Sequence, residues 1–213
     1  MPVIKLVCFD MDDTLINQNS WYKLNVALGV TAAEDQGMYD SYGKGDLSYS
    51  DWLDKLVELY QKRGLANRKN VTAALSEYAF KDGAEDLLHH LQTKHYQLAL
   101  ISGSFNILVD SVADALGIIH RKANTTISFD KADNLLEVNS EGDELHAKLR
   151  HLEIFCKELN IDITECVCIG DGANDVEMFK RTGKGITFLD APDHVKDVAW
   201  KVVSGLSEIK KLL

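Results

Sequence analysis

Three short apolar runs, each stopping at a polar turn, constrain this chain more than any other feature. Val3 to Phe9 is mostly continuous and lacks helical periodicity, as expected of a strand buried on both faces. Gln97 to Ile101 and Cys166 to Ile169 repeat the pattern, and the turns that close the three runs read DMDDT, SGS and GDGAND. Between the runs, Ala84 to Thr93, Ile107 to Leu116 and Ala147 to Leu159 place apolar residues three and four apart, the spacing of amphipathic helices. Strands alternating with helices predict an α/β fold, a doubly wound parallel sheet with helices on both faces. Ligands of such sheets bind beyond the carboxyl ends of the strands, where the three polar turns fall.

Two segments break the alternation. From residue 16 to 80 no convincing strand occurs; Trp21, Tyr22, Leu24, Val26 and Leu28, then Trp52, Leu53, Leu56, Val57, Leu59 and Tyr60, carry helical patterns instead. This predicts a helical cap over residues 16–80, inserted into a core made of residues 1–15 and 81–213. From Thr125 to Val138, TTISFD and LLEV flank KADN, which predicts a small β-hairpin flap with an Asp-Asn turn.

The 213 residues are 46% hydrophobic, enough to bury a sizeable core. With 23 Lys+Arg against 33 Asp+Glu the net charge is −10, which disfavours nucleic acid and anionic membrane surfaces as partners. The first apolar run is too short for a signal sequence or a membrane span, so a cytoplasmic location is expected. Cys8, Cys156, Cys166 and Cys168 read as reduced core thiols, because the CxC of ECVCIG lacks partners for a tetrahedral zinc set. The seven histidines form no metal-ligand pair and read mostly as surface.

The acid excess has a local pattern. Asp10 and Asp12 are one residue apart at the end of a strand, so in extended backbone they project to the same side. Such a pair persists most readily where a cation neutralises it or one member keeps a proton, although Asp12, Asp13 and Thr14 would also serve as helix caps. Asp171 and Asp175 lie where a strand ends in glycine and a helix begins, with Gly170 and Gly172 permitting a tight turn. Carboxylates so placed suit Mg²⁺. Ser102-Gly103-Ser104 offers a hydroxyl and free N–H groups before a helix, a phosphate cradle, whereas Lys148 by itself would pass for a surface charge. Thr182 to Gly185, TGKG, lacks P-loop spacing and reads as a turn.

Taken in order, DMDDT, SGS, Lys148 and GDGAND make the sequence resemble the haloacid dehalogenase superfamily, in its phosphoserine-phosphatase-like branch with a helical cap after the first strand. The resemblance covers nearly the whole chain and is most specific at FDMDDTL and IGDGANDVEM. It implies a Mg²⁺-dependent phosphatase acting on a small phosphorylated metabolite. Asp10 would be the nucleophile that becomes an aspartyl phosphate, and Asp12 the general acid and then base. Ser102 and the Gly103 amide would bind phosphoryl oxygens, with Lys148 offsetting charge. Asp171 would ligate the metal with Asp10 and the Met11 carbonyl oxygen. Asp12 would stand near the same cation, Asp175 would hold its outer shell or a water ligand, and Gly172 and Asn174 would complete the loop around phosphate and metal. The physics agrees, since a carboxylate attacking a phosphate dianion needs positive charge at the site.

The cap departs from the phosphoserine enzymes. Asn19 stands where those enzymes place a Glu for the substrate ammonium, and Leu56 where they place an Arg for its carboxylate. Asn17, Asn19, Trp21, Tyr22 and Lys44 are the candidate substrate contacts, although the plainer reading is the stronger for most of them: Trp21 and Trp52, on apolar helical stripes, as cap core, and Asn17 and Asn19 as a turn or helix cap. Phosphoserine is thus an alternative substrate, a phosphotransferase an alternative enzyme, and a phospho-accepting receiver module the non-enzyme alternative. The long cap argues against the last.

Overall fold

The computed structural model describes residues 3–141 and 144–213, with the backbone alone at 43, 144 and 145. Strand β1 (Leu6–Phe9) leads into helices α1 (Ser20–Ala27), α2 (Ala32–Gly43), α3 (Tyr49–Lys62) and α4 (Arg68–Ser76). Helix α5 (Ala84–Thr93), β2 (Gln97–Phe105), α6 (Asn106–Leu116), β3 (His120–Phe129), β4 (Leu135–Ser140) and α7 (Glu144–Leu159) follow. The chain ends with β5 (Cys166–Ile169), α8 (Val176–Thr182), β6 (Gly185–Phe188), α9 (Asp193–Lys196), β7 (Lys201–Val203) and α10 (Leu206–Ile209).

The seven strands lie in the order β4-β3-β2-β1-β5-β6-β7, parallel except for the antiparallel β3–β4 pair. Two-residue periodicity explains the layers. Val7, Phe9, Val167 and Ile169 enter the apolar cluster beneath α5, α6 and α10, while Leu6, Cys8, Cys166 and Cys168 enter the one shared with α7, α8 and α9. Both faces of β1 are thereby covered, which is why its sequence is unbroken by polar residues.

Asn19, Thr31, Ser48 and Asn67 cap α1 to α4, each accepting a backbone N–H of the first turn, and Glu34 completes a capping box with Thr31. The two chain crossings between these helices and the sheet run side by side: Ile16 pairs with Phe80, Asn17 N–H donates to the Ala79 carbonyl at 2.9 Å, and Lys81 N–H to that of Leu15 at 2.8 Å. Asn17, a candidate substrate contact, sends its side-chain amide to the Phe80 carbonyl and reinforces this crossing.

The predicted hairpin is β3 with β4, and it extends the sheet because β3 pairs in parallel with β2. Its turn hangs on Asp130, whose carboxylate accepts the Ala132 and Asn134 N–H groups, with Asp133 at φ 61°. It also reaches α4, whose Arg68 pairs with Asp133 at 2.6 Å. Strands β6 and β7 carry no signal in the sequence, because GITF and KVV are too short to show periodicity. TGKG is the turn expected of it, with Gly183 at φ 66° closing α8. All four cysteines are buried and free, but His151 is buried on α7 rather than at the surface.

Candidate active site

The parallel register sets the site. Phe9 is level with Leu100 of β2 and Ile169 of β5, so Asp10 emerges between the ends of two neighbouring strands. Continuing from β5, Gly170 must lack a side chain, since a Cβ there would lie 2.3 Å from the Asp175 carboxyl carbon. This close approach brings Asp175 beneath the loop. Carboxylate oxygens of Asp10, Asp171 and Asp175 gather within 4.8 Å of one another.

Lys148, fully buried on α7, crosses under the cluster. Its Nζ lies 2.9 Å from Asp10 Oδ1 and 2.7 Å from Asp175 Oδ1. Burial opposes its charge, but the two carboxylates outweigh that and raise its pKa. Asp175 spends its second oxygen on the Gly172 N–H at 3.1 Å, so both oxygens are engaged within the protein. Asp171 accepts from the Thr14 hydroxyl at 3.0 Å. Burial, with Asp10 and Asp175 nearby, pushes Asp171 up to about 7, and burial chiefly pushes Asp175 up to about 6. Three acids this close, only two of them paired with the Lys148 ammonium, repel one another, and oxygen donors in this arrangement fit a hard divalent cation.

Asp12 stands outside that trio. Its Oδ2 accepts the Ser20 N–H at 2.9 Å and the Ser20 hydroxyl at 2.5 Å, while Oδ1 is buried with no partner among the described residues. Burial pushes its pKa up to about 7, against the Ser20 bonds that favour the charged form. The Ser20 hydroxyl also lies 2.5 Å from that of Ser104 on β2. Asp12, the first residue of α1 and the end of β2 are thus joined by a short polar chain. Neither Ser20 nor Thr14 was singled out from the sequence; Thr14 was visible only as a cap residue, and Ser20 only as the start of SWYKL.

One predicted ligand is corrected. The Met11 carbonyl accepts from the N–H groups of Thr14, Leu15 and Ile16 at 3.2, 2.8 and 3.1 Å, so it closes the loop after β1 and is not available to a metal. Ser102, Gly103 and Ser104 also differ from expectation, belonging to the last residues of β2 at a register shift, with α6 starting only at Asn106. The Ser102 hydroxyl accepts the Ser104 N–H at 3.2 Å.

A cavity of about 230 Å³ opens over these groups, lined by Asp10, Asp12, Asp171, Ser102 and Gly103, with Gly172, Asn174, Asn19 and Trp21 at its walls. Asp13, exposed but partly desolvated so that its pKa is raised, also lines it. Asn19 caps α1 through the Tyr22 N–H. Trp21 leans on Phe105 at 4.4 Å, points its Nε1 toward the Gly103 carbonyl at 3.4 Å and packs against the apolar cluster, so it joins α1 to the end of β2. Tyr22 and Trp52 line a second cavity among α1, α2 and α3, and Lys44 and Asn17 line neither of the two.

A family model described as haloacid dehalogenase-like hydrolase matches residues 4–183. The phosphoserine phosphatase of Methanocaldococcus jannaschii is 32% identical over 190 residues, covering 88% of this chain and 87% of the relative. That of Archaeoglobus fulgidus is 26% identical, and the chain spans 60% of its length. A solved structure described as a phospho-aspartyl intermediate analogue of phosphoserine phosphatase superposes with a TM-score of 0.81 at 29% identity, each chain covered completely.

Proposed function

Because the chain belongs to the haloacid dehalogenase-like hydrolase family, we propose that the acid cluster hydrolyses a small phosphate monoester in two steps, with Mg²⁺ as its metal. The observation that carries the reading is the convergence of Asp10, Asp171 and Asp175 on one point, with Lys148 beneath and an unpartnered Asp12 oxygen beside it. Bound Mg²⁺, held by Asp10 and Asp171, would supply positive charge against the phosphate. Residues 16–80 serve as the cap over this chemistry.

Asp10, with Oδ1 held by Lys148, attacks phosphorus through its other carboxylate oxygen. The bond to the leaving oxygen breaks, and that oxygen takes a proton from Asp12 and departs as the alcohol. Water then attacks the aspartyl phosphate and returns a proton to Asp12, freeing inorganic phosphate and the Asp10 carboxylate. The raised pKa of Asp12 suits a group that must hold a proton near neutrality, and Ser20 keeps it aimed. Ser102 and the Gly103 amide face the incoming phosphoryl oxygens, with Gly172 and Asn174 forming the opposite wall. Asp175, already saturated by Lys148 and Gly172, acts by positioning Lys148 and the loop.

Phosphoserine is the second reading for the substrate, supported by relatives and solved structures that carry that name. Against it, Leu56 lines the cap cavity and offers no charge to a carboxylate. The expected result is phosphate release from p-nitrophenyl phosphate that requires Mg²⁺ and is abolished in Asp10→Asn. Turnover that survives Asp10→Asn would refute the covalent route.

A further inference from the structure

The larger cavity, about 420 Å³, lies among α1, α2 and α3. Trp21 and Tyr22 come from α1, Tyr39 and Tyr42 from α2, and Tyr49 and Trp52 from α3, so its walls are mainly aromatic. Asn19 and Trp21 line both this chamber and the acid cavity. A phosphate ester seated on Asp10 would therefore extend its leaving group past these two side chains into the aromatic chamber.

The rings converge on Trp52, with centroids of Tyr42, Tyr49 and Tyr39 at 5.3, 6.0 and 6.2 Å. An aromatic cluster serving only as core would be buried. Here Tyr39 is 62% exposed, Tyr22 55% and Tyr42 39%, and exposed rings around a concavity present a surface for a ligand to cover.

Charge decides which ligand. Among the described residues the chamber is lined by no Lys, Arg or His, and its single ionisable acid is Asp35. The Asp35 carboxylate accepts from Asn25 Nδ2 at 2.8 Å, Asn25 is held in turn by the Tyr60 hydroxyl, and no cationic side chain pairs with Asp35 among the described residues. A carboxylate entering here would meet negative ring faces and a like charge with nothing to offset them. A positive group gains from both. A cation without N–H donors fits best, because ring faces replace its weak hydration without leaving donors unsatisfied.

We propose that the chamber receives the leaving group as an alkylated ammonium, so that the substrate is a phosphomonoester of an amino alcohol lacking a carboxylate. The proposal rests on the phosphatase reading. It is tested by kcat/KM for choline phosphate, its neutral carbon isostere 3,3-dimethylbutyl phosphate, O-phosphoserine and p-nitrophenyl phosphate with saturating Mg²⁺. The cationic ester is expected to exceed its neutral isostere by about tenfold or more. Asp35→Asn, which keeps the bond to Asn25, and Tyr42→Leu are each expected to bring that ratio toward one. Equal constants for the two isosteres, or phosphoserine ranking first, would overturn the proposal. Should no ester be hydrolysed, p-nitrophenyl phosphate included, the phosphatase reading falls by itself. Tryptophan fluorescence then decides the chamber: saturable quenching by tetramethylammonium that Asp35→Asn weakens upholds it, and absence of quenching overturns it.

Discussion

Asp12 shows how a side chain acquires a role from its neighbours. Its carboxylate is gripped on one oxygen by Ser20, from both backbone and hydroxyl, and bare on the other. A hydrogen bond to a charged group is worth about 1.5–3 kcal/mol, enough to fix a carboxylate that would otherwise rotate. Ser20→Ala is expected to lower kcat on p-nitrophenyl phosphate by roughly tenfold with little change in KM, and Ser20→Thr to restore much of it. A loss confined to KM would show that Ser20 touches substrate instead. DxD was legible from its spacing, but its partner was not: Ser20 follows Asp12 by eight residues, and only the folded loop brings them together.

At the level of elements, the site depends on how closely the loop after β5 packs on itself. Gly170 allows Asp175 to lie directly against the backbone, and Asp175 orients both Lys148 and the Gly172 N–H. Gly170→Ala is expected to push Asp175 out and to raise the Mg²⁺ concentration for half-maximal activity by about 10–100-fold, as loss of a supporting residue typically does. A Mg²⁺ titration of the variant checks this; an unchanged midpoint would mean the loop yields without disturbing the site. The strand–loop–helix order around GDGAND was legible because apolar pattern, glycines and acids coincide there. The end of β2 was less so, since Ser102 to Ser104 continue the strand through a register shift that no local sequence signal announces.

Across the whole molecule, stability and chemistry are linked through the buried acids. Asp12 and Asp171 are pushed up to about 7 and Asp175 to about 6, so the folded state keeps protons that the unfolded chain has lost by pH 5. Their contribution therefore falls as pH rises from near the ordinary carboxylate value of 3.8 through about 7. A metal competes with those protons and relieves the repulsion that replaces them. The rise in Tm on adding Mg²⁺ to EDTA-treated protein is expected to be larger at about pH 8 than at about pH 5.5. Scanning calorimetry at the two pH values checks it, and an equal rise at both would contradict the linkage. Among the described residues no helix is long and apolar enough to cross a membrane. The sequence by itself determined the α/β class and the parallel sheet with helices on both faces, because periodicity and local spacing are written in neighbouring residues. Tertiary structure alone decided that the Met11 carbonyl is consumed by its own loop, that Ser20 and Thr14 bond to the acids, and that six aromatic residues surround one acid next to the cavity over Asp10. Those facts depend on contacts between residues far apart in the chain, where direction and distance, not residue type, set the chemistry.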